Sequence, residues 1–298
     1  MRVVWIAVGA LMMWHNALTA HVQAQMPARQ LVREVVYNEL NDHARHGHWR
    51  YWVERRSSNG TLREEQVETV EGPVKRLILR DGRPLSPEDE QQEQDRLQKL
   101  LVSPGEQARH LKQYDEDEER IGRILALLPD AFVYEYDGEE MGCYRLRFHS
   151  NPNYPPRTIE ARIFHAMSGR LWVDAGWKRL VRLEGRVDEN VDFGYGILGR
   201  LYQGGWFRLE RVQVSASDWK TESLEIHMNI RALLVKTFAR DTSEERGGFV
   251  AVPAELSLAE GMALLNKSPG PVQAEGQDAA SPPSGNGLGG QTALAMRP

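Results

Sequence analysis

The chain is poor in the groups on which most protein chemistry is built. It has one cysteine, Cys143, so no intrachain disulfide forms and stability rests on a packed core. Placed in an expected strand, Cys143 reads as a buried, inert thiol rather than a reactive one. No Cys-x-x-Cys, His-Glu-x-x-His or Gly-x-Ser-x-Gly occurs, which removes the common redox, zinc and serine-nucleophile arrangements. Basic residues are not in excess: Lys and Arg number 37 against 42 Asp and Glu, a net charge of −5, and no basic stripe marks a nucleic-acid binder. Beyond residue 24 no stretch approaches the roughly 18 uninterrupted apolar residues of a membrane helix.

What is present begins with an export signal. Arg2, the apolar run Val3 to Trp14 and the small-x-small triplet Val22-Gln23-Ala24 read as a cleavable secretory segment over 1–24, with Ala20 a second candidate cut and a retained anchor the alternative. No cysteine adjoins the cut, so a lipid anchor is not expected there. Residues 25–252 are expected to form one domain. Leu31, Val32, Val35, Val36 and Leu40 make the apolar stripe of a helix over 27–42. Three strands follow, with Ser57-Ser58-Asn59-Gly60 as a hairpin turn and Asp81-Gly82 closing the third. Ser86-Pro87 and Ser103-Pro104 are helix starts, and the helical insert they open runs over about 86–128. The acidic run Asp115 to Glu119 within it reads as a solvated helix face.

From Ala131 the hydrophobic period returns to two. Phe132, Tyr134 and Tyr136 alternate, and Asp137-Gly138 is expected to turn into Tyr144, Leu146 and Phe148. Ile159, Ala161 and Ile163 then alternate with Glu160 and Arg162, which predicts another strand. Ser168-Gly169 is expected to turn into Leu171 to Asp174; strands follow over about 178–187, 207–214, 223–230 and 233–239. Alternation of this kind places one face in a core and the other in water, the habit of antiparallel sheets. About ten strands cannot lie flat, so the expected class is α+β: a strongly curved, mostly antiparallel sheet, an unclosed β barrel, covered by helices. Ser257 and Glu260 form a capping box for a short helix within 253–266, and the aromatic-free, Gly/Pro/Ser-rich segment 267–298 is expected to be disordered.

Most sharp motifs have blander readings. Gly194-Tyr195-Gly196-Ile197-Leu198-Gly199 spells the dinucleotide fingerprint, but a strand rather than a helix follows it, so the parallel βαβ unit is missing. The apolar residues around it, including Phe193, Tyr195 and Trp206, pack on the sheet or form the lip of a cavity. His43, His46 and His48 match no metal spacing, and His165 and His227 stand alone on expected strands, so neither metal nor cofactor is expected. The acid pairs Glu139-Glu140 and Glu244-Glu245 fall in expected turns and read as solvated, which leaves no catalytic pair and no enzyme assignment. Asn59-Gly60-Thr61 is a formal glycosylation triplet inside a hairpin turn.

Gly169-Arg170-Leu171-Trp172-Val173-Asp174, followed by Lys178-Arg179-Leu180-Val181-Arg182-Leu183-Glu184-Gly185, is similar to a hairpin of the bacterial outer-membrane lipoprotein carrier and sorting proteins. The order of helix, three strands, helical insert and meander over about 27–240 resembles the same group. That resemblance implies an unclosed barrel with helices as a lid over a hydrophobic hollow that takes acyl chains. The chain departs from it in its larger insert, its tail and the missing lipobox. The expected function is therefore that of an exported periplasmic or envelope protein holding a lipid-like ligand or a lipoprotein acyl chain, with transient contact at a membrane surface and no nucleic acid. The alternative is a non-enzymatic envelope scaffold with a filled core. Leu146, Phe148, Ile159, Ile163, Leu224, Ile226 and Met228 are the expected wall of the hollow, and Phe193, Tyr195 and Trp206 its lip. An apolar cavity of roughly 300 Å³ or more favours the carrier, a filled interior the scaffold.

Overall fold

The computed structural model describes residues 26–41, 47–193, 199–232 and 236–267. The signal segment, His43, His46, Tyr195 and the tail beyond Lys267 lie outside them. In chain order the elements are α1 (Ala28–Leu40), β1 (His48–Ser57), β2 (Gly60–Val67), β3 (Val74–Arg80), β4 (Arg83–Pro84), α2 (Pro87–Val102) and α3 (Pro104–Ala131). Then come β5 (Phe132–Glu140), β6 (Cys143–Ser150), α4 (Ile159–His165), β7 (Met167–Asp174), β8 (Leu180–Val187), β9 (Val191–Phe193) and β10 (Gly199–Leu201). The described chain ends with β11 (Trp206–Gln213), β12 (Trp219–Ala232), β13 (Lys236–Val252) and α5 (Leu258–Asn266).

One antiparallel sheet holds the strands in the order β4-β3-β2-β1-β13-β12-β11-β8-β7-β6-β5, with β9 and β10 as a side branch. It is therefore two meanders, β1 to β4 and β5 to β13, joined where β1 pairs with β13. The edges β4 and β5 do not pair with each other, so the barrel is unclosed. The class is α+β, as expected from the alternation. The fingerprint at 194–198 lies outside the described residues; the strands on either side of it, β9 and β10, pair antiparallel with Phe193 opposite Gly199.

The helices begin where capping chemistry places them. The hydroxyls of Ser86, Ser103 and Thr158 accept from backbone N–H groups three residues on, and Ser257 and Glu260 cap each other reciprocally. Helix α3 runs past Pro129, because a proline in the last turn forfeits little and its carbonyl accepts from Arg29 Nε at 3.0 Å. The expected strand at Ile159 to Ile163 is instead helix α4. Period-two alternation over five residues is too short to decide, and the Thr158 cap after Pro155-Pro156 tips the segment to helix. His165 accordingly ends a helix. Asp137-Gly138 is not the β5–β6 turn but a bulge within β5, where the register shifts between Tyr136 and Glu139. The turn is Met141-Gly142, both with positive φ. Ser168-Gly169 likewise lies inside β7 rather than before it. Glu244 and Glu245 are not in a turn but in β13, whose length runs far past the expected end of the last strand. Cys143 is half-exposed at the start of β6 rather than buried, and burial, then Asp174 and Glu140, push its thiol up from the ordinary value.

The core divides by the covering helix. Helices α1, α3 and α4 lie over the β5–β8 half of the sheet, where Leu31, Val35, Phe132, Leu146, Phe148 and Val173 are buried together. Helices α5 and α2 cover β2 and β3, with Leu258, Met262 and Leu265 against Val67 and Val74. Among the described residues no helix is long and apolar enough to cross a membrane.

Candidate functional site

The candidate site is an apolar cavity of about 230 Å³ between helices α1 and α3 and the inner face of the sheet. Helix α1 supplies Val32, Val35, Val36 and Glu39, an i, i+3, i+4, i+7 stripe on one face. Helix α3 supplies Ile124, Leu125 and Leu128. The floor is sheet, with Phe148, Leu171, Leu183 and Phe207 from four neighbouring strands. Tyr134 also lines the cavity. Its hydroxyl donates to the Leu128 carbonyl at 2.7 Å, and burial, then the Asp130 charge, pushes its phenol well above the ordinary value.

The floor has its shape because of two glycines. Phe148, Gly169, Gly185 and Phe207 are successive partners across β6, β7, β8 and β11, all pointing inward. The phenyl rings fold over the glycines from either side. A Cβ at Gly169 would stand 1.9 Å from the Glu184 carbonyl oxygen and 2.6 Å from the Phe148 ring. One at Gly185 would stand 2.3 Å from the Phe207 ring. The pair thus lets the sheet coil tightly and leaves space above the rings.

Glu39 is the charged group of the wall. Its carboxylate accepts from Arg179 Nε and Nη2, each at 3.1 Å, from the Leu180 backbone N–H at 3.3 Å, and from Arg211 Nη1. Glu39, Arg179 and Arg211 are 9%, 8% and 12% exposed at their side chains, so the triad is buried. It fastens the C-terminal end of α1 to the sheet. Arg29 and Arg33 fasten the N-terminal end to Asp130 of α3, and the Arg29 hydrogen bond is the first cause holding that carboxyl below its ordinary value. Asn38 adds a hydrogen bond to the Lys178 carbonyl at 3.1 Å.

Of the residues read from sequence as cavity wall, Phe148 lines the cavity, and Leu146 is fully buried in the same core beside it. Ile163, Phe193 and Met228 are partly buried against that core. Leu224 and Ile226 are half-buried on β12, opposite Leu209 and Phe207, and stand outside the cavity. Ile159 is 59% exposed at the outer side of α4, a consequence of the helix that replaces the expected strand. Trp206 lies on the opposite, convex face of the sheet, 39% exposed and stacked on His227 at 6.1 Å, so it is no lip of this cavity. Reading from sequence missed Glu39, Arg179 and Gly185. Glu39 had a signal: with Val32, Val35 and Val36 it falls on the apolar stripe of α1, where a carboxylate needs a buried partner.

Among the described residues no group of His, Cys, Asp and Glu is placed to hold a metal ion. No family model matches the chain, and no curated protein matches it. A crystal structure of a DUF1329 family protein from Desulfovibrio piger aligns with 76% of this chain and 93% of its own length, at 11% identity and a TM-score of 0.28.

Proposed function

We propose that this protein is an exported carrier that holds a lipid-like ligand, or one acyl chain of a larger molecule, in the cavity under α1. The observation that carries the reading is the lining. Apart from Glu39, which is turned to its arginines, and Tyr134, whose hydroxyl is satisfied, the wall is aliphatic and aromatic side chains with the thioether of Met167. A space of this kind stays dry and accepts hydrocarbon. At about 230 Å³ it falls short of the roughly 300 Å³ at which drug-sized ligand sites begin, which limits the proposed ligand to a single chain. A bulkier ligand requires α1 to lift from its two ionic fastenings.

The test is to fill the space without adding charge. Val35 is 5% exposed and lines the cavity from α1. Val35→Phe places a ring in the void, and helix propensity hardly changes. Uptake of a fluorescent fatty acid by the native protein, and its loss in Val35→Phe at unchanged or higher melting temperature, supports the carrier. No uptake by the native protein, with no lipid co-purifying by native mass spectrometry, defeats it. The cavity's shortfall from 300 Å³ favours the second reading, a scaffold of the envelope with a nearly filled core, and the same failure would leave that reading in place.

A further inference from the structure

The convex face of the sheet carries a second hollow, a groove of about 460 Å³ that backs onto the Gly169–Gly185 pair. Its walls are the outward-pointing residues of β6, β7, β8 and β11. Arg147, Arg170 and Arg208 stand in one cross-strand row with Glu184, and Arg186 lies directly across from Trp206 in the next. Four arginines and Glu184 line the groove, while Glu135, Asp137 and Asp188, which pair with three of the arginines, are not among its lining residues. The floor is nearly bare backbone, because the two glycines have no side chain and their neighbours' rings fold to the other face.

Three features make this more than a solvated face. Arg147 and Arg170 are directly opposite each other, a like-charge pairing that brings two guanidinium groups to one side of the groove and that nearby carboxylates offset. Each arginine is itself exposed and is paired with an exposed or half-buried carboxylate: Arg147 with Glu135 at 2.7 Å, Arg170 with Asp137 at 3.3 Å, Arg186 with Asp188 at 2.7 Å and Arg208 with Glu184 at 3.1 Å. Exposed pairs of this kind contribute little, so exchanging a carboxylate for a ligand oxyanion costs little. Trp206, stacked on His227, offers a flat apolar surface beside Arg186. Guanidinium forks match the oxygens of phosphate, and several forks around one hollow favour a dianion with three acceptor oxygens.

We propose that this groove binds a phosphate-bearing sugar or head group, its phosphate among Arg147, Arg170 and Arg186 and its ring against Trp206. The site is separate from the apolar cavity and stands or falls without it. Isothermal titration calorimetry at low salt on the full chain, with glucose 6-phosphate as the soluble probe, tests it. Phosphatidylglycerol vesicles, with phosphatidylcholine vesicles as control, test a lipid source of the same chemistry. Saturable binding to either anionic probe, absent for glucose and phosphatidylcholine, is expected. Arg170→Gln should weaken it about tenfold, the loss of one charge-assisted contact. Glu184→Gln should tighten it, a sign that misfolding cannot produce, and Val35→Phe should leave it unchanged. No saturable binding to either anionic probe, or binding indifferent to both Arg170→Gln and Glu184→Gln, overturns the proposal.

Discussion

Replacing Glu39 by glutamine tests the frame of the cavity most directly. The side chain keeps its shape but loses its charge, and two guanidinium groups are left facing one neutral amide. Arg179 and Arg211 are 8% and 12% exposed at their side chains, so water does little to screen them. Breaking a buried pair by removing one partner costs about 3–5 kcal/mol, because the remaining charge is stranded. For a domain of this size that corresponds to a melting temperature lower by roughly 10 °C. The loss should be local as well as global. Amide hydrogen exchange in α1 should quicken first, since Glu39 fastens its C-terminal end while Arg29 still holds the other to Asp130. Removing the whole triad, with Glu39→Leu, Arg179→Leu and Arg211→Met together, should recover most of the stability, since a well-packed apolar substitute for a buried ion cluster is often neutral or better. A loss below about 1 kcal/mol for Glu39→Gln, measured by urea denaturation, would refute the reasoning, because only a hydrated pair behaves that way.

Other expectations follow from the same geometry. Gly169→Ala puts a methyl 1.9 Å from the Glu184 carbonyl oxygen, a backbone atom that cannot swing aside, so it should destabilise by at least about 2 kcal/mol and distort the β7–β8 pairing; an unchanged denaturation midpoint would contradict it. Burial pushes the Glu244 carboxyl up, but Arg246 and Arg55 together outweigh it and hold the group below the ordinary value of 4.5. Its stabilising contribution is therefore complete above the ordinary carboxylate range and is lost as pH falls through the depressed folded value. The stability difference between the native protein and Glu244→Gln should be largest near neutral pH and close in acid; a gap that widens in acid would reverse the sign. Ser257→Ala removes the capping box of α5, with an expected loss of about 1 kcal/mol and faster amide exchange in that helix; no change in either would deny the cap.

The sequence by itself determined the class of fold and most local elements, though not helix α4 or the β5–β6 turn, where short patterns were ambiguous. Ser86, Ser103 and Ser257 start their helices because a hydroxyl meets backbone donors three residues on, which no tertiary contact need arrange. Ser57 and Gly60 pair across the first hairpin, with Gly60 at positive φ, for equally local reasons. The alternation of Tyr144, Leu146 and Phe148 against Arg145 and Arg147 was enough to say that one face is buried and one wet. Only the tertiary structure decided that β1 pairs with β13, two strands nearly at opposite ends of the described chain, because nothing within either strand specifies so distant a partner. It also decided that Gly169 and Gly185 meet between two phenyl rings, that Glu39 finds Arg179 and Arg211, and that Trp206 belongs to the outer face. Patterns of three or four residues report which groups seek burial; which groups they are buried against depends on register and coiling over the whole sheet.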